Sequence, residues 1–241
     1  MWPELERAVE APVLLVACDY DGTLAPIVDD PAAAFPDARA LDALRMLAAR
    51  PNTIVAVISG RARADLIGFV GELPGGLLIG GHGAEWEQDV TTPEAEALAS
   101  VLAAVADDFP GSTVEAKPTG AAFHYRQLID EAAAGDAARA AIDAAAGLAA
   151  RVIEGKKVVE FSTSEVDKGT ALRRLRDEKS PDVIVFIGDD VTDEHAFAAL
   201  GPSDIAVKIG DGDTVARWRL DEQQDVAGLL EELSNRGRGD G

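Results

Sequence analysis

The sequence has little cysteine and few aromatic residues: Cys18 is its only cysteine, and aromatic residues make up 5% of the chain. A single cysteine excludes a disulfide within this chain and suits a reducing compartment, so we expect a cytoplasmic protein. No apolar run approaches the roughly 20 residues that a membrane-spanning helix needs. The start of the chain, MWPELERAVEAP, is acidic where a secretory signal is basic. We therefore expect neither export nor a membrane partner.

Positive charge is also scarce. The chain has 22 lysines and arginines against 43 acids, which gives a formal net charge of −21. Such a field repels nucleic acid, so no nucleic-acid partner is expected. If the substrate is an anion, the positive charge that binds it must be local, supplied by a metal ion or by a few placed lysines and arginines.

Five apolar runs of strand length are present: VLLVAC (13–18), TIVAVI (53–58), LLIG (77–80), VIVFIG (183–188) and IAVKI (205–209). They lack the alternation of a sheet with one wet face, so helices should cover both faces. Helical patterns lie between them at 37–50, 61–70 and 168–178, from near 192, and at 221–235. This alternation predicts an α/β fold with a doubly wound parallel sheet.

The middle of the chain has a different pattern. A helix, two short strands, an alanine-rich helix and two further strands follow one another between about residues 90 and 161. This order predicts an α+β domain inserted into the α/β core. We assign residues 1–88 and 163–241 to the core and residues 89–162 to the inserted domain.

Two aspartates, Asp19 and Asp21, end the first apolar strand. Because strand side chains alternate, both can point the same way at the carboxyl end of the strand, where open α/β sheets bind ligands. Two such carboxylates repel each other unless a cation or a shared proton relieves them, and Mg²⁺ prefers oxygen ligands. The alternative is an Asp-Tyr-Asp-Gly surface turn.

Three further segments carry matching chemistry. Ser59-Gly60-Arg61 follows the second strand and suits a phosphate, although Ser and Gly also cap helices without binding one. Four acids lie within Asp189–Glu194 after a later strand, more than the helix dipole requires. Lys168 opens a helix, where a cation opposes the dipole, and a neighbouring phosphate would explain it.

Together these segments resemble the haloacid-dehalogenase-like phosphohydrolases, which share DxDGT, SGR, a lysine and GDDxTDE in this order. The fuller set, DYDGTL, GHGAE, VEAK, HYR, GKKVVE, DKG and GDDVTDE, is similar to trehalose-6-phosphate phosphatases. It covers residues 19 to about 197. One departure is Phe161-Ser162, where many relatives have Arg-Pro.

The resemblance implies roles for the core residues. Asp19 would attack phosphorus and form an aspartyl-phosphate, and Asp21 would act as general acid and then as general base. Mg²⁺ would bind Asp19, the backbone carbonyl of Asp21, and Asp189. Asp190 and Asp193 would support it indirectly, Asp193 through water or by holding Lys168; direct binding by Asp190 is left open. The phosphate-binding residues would be Thr23, Ser59, Gly60, Arg61 and Lys168.

The strands of the inserted domain alternate between polar and apolar positions, which predicts one polar face. Sugar hydroxyls need donors and acceptors together. The resemblance implies that this domain closes over the core and that the sugar is bound by His82, Glu85, Glu115, Lys117, His124, Arg126, Lys156 and Glu160. A solvent-facing sheet, and a purely structural loop histidine at His82, are the alternatives.

The resemblance implies a Mg²⁺-dependent phosphatase that hydrolyses trehalose 6-phosphate to trehalose and phosphate. Sucrose phosphate, glucosylglycerol phosphate and mannosyl-phosphoglycerate are alternative substrates. A receiver-like phospho-acceptor module is the alternative from another class. The resemblance also suggests a functional link to a trehalose-phosphate synthase.

Overall fold

The computed structural model describes residues 3–28, 30–86, 91–155 and 157–236. Its contacts divide the chain into two compact units, Met1–Trp86 with Asp167–Gly241, and Glu87–Val166. We call them the core unit and the inserted unit. The domain boundaries predicted at 88/89 and 162/163 stay a prediction. No helix in the described residues is long and apolar enough to cross a membrane.

The strands are β1 (Leu14–Cys18), β2 (Thr53–Ile58), β3 (Leu77–Ile79), β4 (Thr113–Lys117), β5 (Gly120–His124), β6 (Arg151–Gly155), β7 (Val158–Ser162), β8 (Val183–Gly188), β9 (Ile205–Ile209) and β10 (Trp218–Leu220). The helices are α1 (Pro3–Val9), α2 (Ala38–Ala48), α3 (Arg63–Val70), α4 (Pro93–Asp108), α5 (Glu131–Ala144), α6 (Lys168–Lys179), α7 (Asp193–Ala198) and α8 (Asp225–Arg236).

The core unit contains a six-stranded parallel sheet in the order β10-β9-β8-β1-β2-β3. Cys18, the last residue of β1, pairs with Val57 on one side and Ile187 on the other. The carboxyl ends of these three strands therefore lie at one edge of the sheet. The predicted doubly wound α/β fold is confirmed.

Successive residues of β1 enter different apolar clusters, which explains why its sequence does not alternate. Leu14 and Val16 pack with side chains of α2 and α8. Leu15 and Ala17 pack with side chains of α6 and α7. Because both faces are covered, every residue of β1 is buried.

In the core unit, two helix starts and one strand differ from the sequence prediction. Helix α3 begins at Arg63, not at residue 61, because Ser59 to Ala62 form a loop in which the Ser59 hydroxyl accepts a hydrogen bond from the Arg61 N–H. Helix α8 begins at Asp225, after a turn in which its carboxylate accepts from the Glu222 N–H. The three-residue strand β10 was not predicted because it is too short for a periodic signal.

The inserted unit has a four-stranded antiparallel sheet in the order β4-β5-β7-β6. Phe123, Val159 and Phe161 lie on one face and pack against apolar side chains of α4 and α5. The predicted order of helix, hairpin, helix, hairpin is confirmed, and the pairing of β5 with β7 joins the two hairpins.

Asp204 ties β8 to the loop before β9. Its fully buried carboxylate accepts from the Ile184 N–H at 2.9 Å and the Gly201 N–H at 2.6 Å, and it pairs with Arg176. Asp204→Ala leaves these donors unsatisfied, so we expect the free energy of unfolding to fall by about 3 kcal/mol. Urea denaturation measures this. Asp42→Ala, at an exposed helix position, should change it by less than about 0.5 kcal/mol.

Candidate active site

The site lies at the carboxyl edge of the core sheet, and Asp19 is its first residue. The Asp19 N–H donates to the Ile187 carbonyl at 2.9 Å, so the extended path of β1 continues one residue past the strand. The chain then turns: the Tyr20 carbonyl accepts from the Leu24 and Ala25 N–H groups, and Gly22 has a φ of +77°. This geometry leaves Asp19 only 5% exposed.

Lys168 joins two of the buried carboxylates. Its Nζ lies 2.8 Å from Asp19 Oδ2 and 2.7 Å from Asp193 Oδ1, and the side chain is 1% exposed. Burial alone would lower the pKa of Lys168, but the charges of Asp19 and Asp193 raise it above its ordinary value. The lysine is therefore charged in the site, and its place at the start of α6 is explained by these two partners.

Asp193 organises the loop after β8. Its Oδ2 accepts from the N–H groups of Asp189 and Asp190, both at 2.9 Å, while its Oδ1 binds Lys168. A Cβ on Gly188 would lie 2.3 Å from the Asp193 carboxyl carbon, so only glycine leaves room for it. The predicted hold of Asp193 on Lys168 is seen here, and its support of a metal stays a prediction.

Asp19, Asp189 and Asp193 bring one carboxylate oxygen each within 4.8 Å of one another. Burial raises the pKa of Asp189 to about 7, and Asp193 adds to the effect while Lys168 opposes it. Burial also raises the pKa of Asp19, against the charge of Lys168.

This cluster fits a hard divalent cation. All three donors are carboxylate oxygens, and one lysine between two of them does not offset three negative charges. Gly22 makes room for Asp189, because an added Cβ would lie 2.0 Å from its Oδ2. Asp190 is exposed and accepts from the Val191 N–H, so its indirect role stays a prediction.

Ser59 and Thr23, two of the predicted phosphate-binding residues, are both buried. Ser59 follows β2, and the Thr23 hydroxyl donates to Asp189 Oδ1 at 3.3 Å. The structure thus brings Thr23 to the carboxylate cluster. Phosphate binding by both residues stays a prediction.

Asp21 and Arg61 form a two-pronged ion pair: Arg61 Nε lies 2.7 Å from Asp21 Oδ2, and Nη2 lies 2.7 Å from Oδ1. The structure therefore gives Asp19 and Asp21 different basic partners.

Gly60, beside Arg61, lies against the ring of His82. A Cβ added to Gly60 would lie 2.5 Å from that ring. His82 has a φ of +55°, in the left-handed region.

Glu85 is 2% exposed, and its Oε2 accepts from the Arg63 N–H at 2.7 Å. It thereby satisfies a free amide in the first turn of α3. Sugar binding by His82 and Glu85 stays a prediction.

In the inserted unit, a polar face lies opposite the apolar one. Glu115 and Glu160 both pair with Ala122 across the sheet, and Lys117 Nζ lies 3.2 Å from Glu160 Oε1. His124 Nε2 lies 3.0 Å from Glu115 Oε2, and this hydrogen bond, helped by the charge of Lys117, lowers the pKa of Glu115.

Arg126 lies beyond the end of β5 and is exposed, and Lys156 lies outside the described residues. The structure therefore groups Glu115, Lys117, His124 and Glu160. Their contact with a sugar, and that of Arg126 and Lys156, stays a prediction.

The sequence analysis missed two residues of the site. Lys208, 6% exposed, pairs with Gly188 across β8 and β9 and donates to the Asp189 carbonyl. The signal that could have found it is a lysine inside the apolar strand IAVKI. Gln223 Nε2 donates to the Thr23 carbonyl at 2.9 Å. The two residues are 200 positions apart, so no local sequence pattern could have indicated this contact.

The sequence matches a known family model. The model described as trehalose-phosphatase matches residues 17–224. The bifunctional trehalose-6-phosphate synthase/phosphatase of Thermoproteus tenax is 39% identical over 230 residues, 91% of this chain and 32% of that protein. The trehalose-phosphate phosphatase of Mycobacterium marinum is 37% identical over 239 residues, 90% of this chain and 60% of that protein. The chain thus spans a third to three fifths of these relatives.

Solved structures share the fold. The C-terminal domain of Candida albicans trehalose-6-phosphate phosphatase superposes with a TM-score of 0.79 at 26% identity, over 96% of both chains. Aspergillus fumigatus trehalose-6-phosphate phosphatase superposes with a TM-score of 0.67 at 30% identity, again over 96% of both chains.

Proposed function

Because this chain belongs to the trehalose-phosphatase family, we propose that it hydrolyses trehalose 6-phosphate to trehalose and phosphate with Mg²⁺ as its cation. The observation that carries the proposal is the cluster of Asp19, Lys168, Asp193 and Asp189 at the carboxyl edge of the sheet, in which the first three are buried and Asp189 is partly buried. It combines a nucleophile, a cation and an oxygen-only metal site.

Asp19 attacks the phosphorus atom, which forms an aspartyl-phosphate and releases the sugar oxygen. Lys168 holds Asp19 Oδ2, and the Tyr20 N–H donates to Oδ1 at 2.6 Å, so the carboxylate is oriented before substrate arrives. A divalent cation held by Asp19, Asp189 and the Asp21 carbonyl supplies, when bound, positive charge that reduces repulsion between the carboxylate and the phosphate. Ser59, Thr23 and Lys168 orient the remaining phosphate oxygens.

Asp21 moves the protons. Its carboxyl group gives a proton to the departing sugar oxygen, and the resulting carboxylate takes one from the water that cleaves the aspartyl-phosphate. The sugar-binding residues that we propose are His82 and Glu85 in the core unit and, in the inserted unit, Glu115, Lys117, His124, Arg126, Lys156 and Glu160. Donors and acceptors on that face suit sugar hydroxyls. We also propose that a trehalose-phosphate synthase supplies the substrate, since the T. tenax relative is named for both activities.

A substrate panel tests this function. We expect phosphate release with Mg²⁺ to show the highest kcat/KM for trehalose 6-phosphate, above glucose 6-phosphate, sucrose phosphate, glucosylglycerol phosphate and mannosyl-phosphoglycerate. The same reactions in EDTA provide the control. Equal kcat/KM for trehalose 6-phosphate and glucose 6-phosphate would show that the disaccharide assignment is wrong. A stable aspartyl-phosphate without turnover would instead favour a receiver-like module.

Lys208 donates to the backbone carbonyl of Asp189. It should affect catalysis although it is not one of the proposed metal ligands. We expect Lys208→Met to lower kcat/KM about 10-fold, because it leaves the Asp189 carbonyl without a charged donor. It should also raise the Mg²⁺ concentration at half-maximal activity. Lys179→Met, at the exposed end of α6, is the matched control and should change neither quantity. Wild-type values for Lys208→Met would contradict the role.

A further inference from the structure

We propose that Arg61 is a positioning residue for the carboxylate of Asp21, rather than a ligand of the phosphate as the sequence predicts. The proposal rests on the proposed function, since it concerns the proton transfers that Asp21 makes there. It assigns Arg61 a part in the departure of the sugar oxygen.

The ion pair fixes both oxygens of Asp21. The guanidinium of Arg61 approaches them with Nε and Nη2, both at 2.7 Å, which is the parallel two-bond arrangement that sets orientation as well as distance. Nη2 also donates to the Pro31 carbonyl at 2.9 Å. Arg61 is 13% exposed and Asp21 is 41% exposed, so the arginine is the anchored partner.

Two aromatic rings hold the guanidinium itself. Its central carbon lies 5.0 Å from the ring centroid of Tyr20 and 4.8 Å from that of Phe69, within cation–π range. Tyr20 is fixed in turn, because its hydroxyl donates to the Ala34 carbonyl at 2.7 Å. The position of the Asp21 carboxylate is therefore set by α3 and by the loop after β1, not by Asp21 alone.

The pairing does not use every lone pair of the Asp21 carboxylate. The two bonds from Arg61 use one lone pair on each carboxylate oxygen, and each oxygen has a second. In the first step a bond forms between Asp19 and phosphorus, the bond from phosphorus to the sugar oxygen breaks, and that oxygen takes the proton of Asp21. In the second step water bonds to phosphorus, its proton passes to Asp21, and the bond to Asp19 breaks.

This arrangement predicts an effect that depends on the leaving group. A sugar oxygen leaves as a strongly basic alkoxide unless it is protonated, whereas p-nitrophenolate leaves as a stable anion without a proton. A misplaced Asp21 should therefore slow the release of a sugar and spare the release of p-nitrophenolate. Loss of a phosphate ligand would instead slow both reactions equally.

The experiment measures kcat/KM for trehalose 6-phosphate and p-nitrophenyl phosphate, because this quantity reports the step that expels the leaving group. For Arg61→Met we expect a loss of about 100-fold on the sugar phosphate and of less than about 5-fold on p-nitrophenyl phosphate. Arg61→Lys, which keeps the charge and loses the fork, should lie between Arg61→Met and wild type. The inhibition constant of inorganic phosphate should stay within about 3-fold of wild type.

Three further variants keep the proposal testable should Arg61→Met fold poorly. Phe69→Leu removes one of the two aromatic rings beside the guanidinium. It should lower kcat/KM for trehalose 6-phosphate about 5-fold and spare p-nitrophenyl phosphate. Adding Arg61→Met to Asp21→Asn should cost nothing more on trehalose 6-phosphate, since both act through one carboxylate. Arg39→Met breaks a similar two-pronged pair with Glu231, 2.9 and 2.6 Å, at an exposed site and should leave both substrates unaffected.

Equal losses on the two substrates together with weaker phosphate inhibition would overturn the proposal and restore Arg61 as a phosphate ligand. Unchanged kcat/KM on both would also overturn it. Failure of the proposed function is distinguishable, because it would be seen in the wild-type protein as no preference for trehalose 6-phosphate. The same comparison with glucose 6-phosphate would then test Arg61.

Discussion

Asp19→Asn is expected to lower phosphate release from trehalose 6-phosphate by about 10⁴-fold or more, because the amide cannot attack phosphorus. The change is nearly isosteric, and the single amide oxygen can keep one of the two hydrogen bonds that Asp19 accepts from Lys168 and the Tyr20 N–H. Asp193 cannot replace the nucleophile without moving, because it is bound to Lys168 and to two backbone amides. Initial rates with Mg²⁺ measure the effect.

Folding must be separated from chemistry in this test. Burial raises the pKa of Asp19, which means that the fold opposes its charge, so the neutral asparagine should leave Tm unchanged or raise it in EDTA. Asp42→Asn, at an exposed position on α2, is the matched control and should retain wild-type rates. Substantial activity in a folded Asp19→Asn protein would show that the nucleophile is wrongly assigned.

The sequence was sufficient to predict which strand ends meet. Asp19 and Ser59 each follow an apolar run, and such runs form parallel strands whose carboxyl ends share one edge. The lysine at the start of α6 was also informative, because a cation there opposes the helix dipole and so requires a partner. The sequence analysis named a phosphate as that partner, and the structure shows two carboxylates, those of Asp19 and Asp193.

Apart from the contact of Asp193 with Lys168, the contacts between side chains of distant segments were not predicted. The pairing of Arg61 with Asp21 depends on Phe69, near the end of α3, and on the turn that places the ring of Tyr20 beside the guanidinium. Lys208 and Gln223 reach the site from elements much later in the chain. Periodicity tells which face of an element is buried, but it does not tell which polar groups meet across elements.

The inserted unit shows the same limit. Alternation predicts that Phe123 and Val159 are buried and that Glu115 and Glu160 share the other face, as observed. Alternation does not predict the hydrogen bond between Glu115 and His124 or the ion pair between Glu160 and Lys117. These pairs fix the orientation of the polar side chains.

Removal of the metal, or of Asp189, should have the second largest effect. We expect Asp189→Asn to lower kcat/KM about 10³-fold at a fixed low Mg²⁺ concentration, because the site loses a charged ligand and the cation contributes several kcal/mol to such reactions. EDTA should abolish the activity of the wild-type protein, and excess Mg²⁺ should restore it. Asp177→Asn, an exposed position on α6, is the control and should leave kcat/KM unchanged.

The pKa of Asp189 gives this site a pH dependence with a defined sign. Burial raises that pKa from 3.8 to about 7, so between these values the folded protein binds a proton that the unfolded chain has released. By linkage, stability in EDTA should fall as pH rises from about 4 to 7 and level off above it. Asp19, whose pKa is also raised, acts in the same direction.

Mg²⁺ should reverse this trend, since it replaces the proton on Asp189 and binds more tightly as pH approaches 7. Tm measured at pH 5, 6, 7 and 8 should therefore decline in EDTA and rise on addition of Mg²⁺, most strongly at the higher pH values. Asp189→Asn should flatten the decline of Tm in EDTA, because the asparagine does not titrate. It should also reduce the gain in Tm from Mg²⁺, because only the carboxylates of Asp19 and Asp193 remain in the cluster. These carboxylates do not form a metal site if the wild-type Tm rises with pH in EDTA, or if Mg²⁺ does not change the Tm at pH 8.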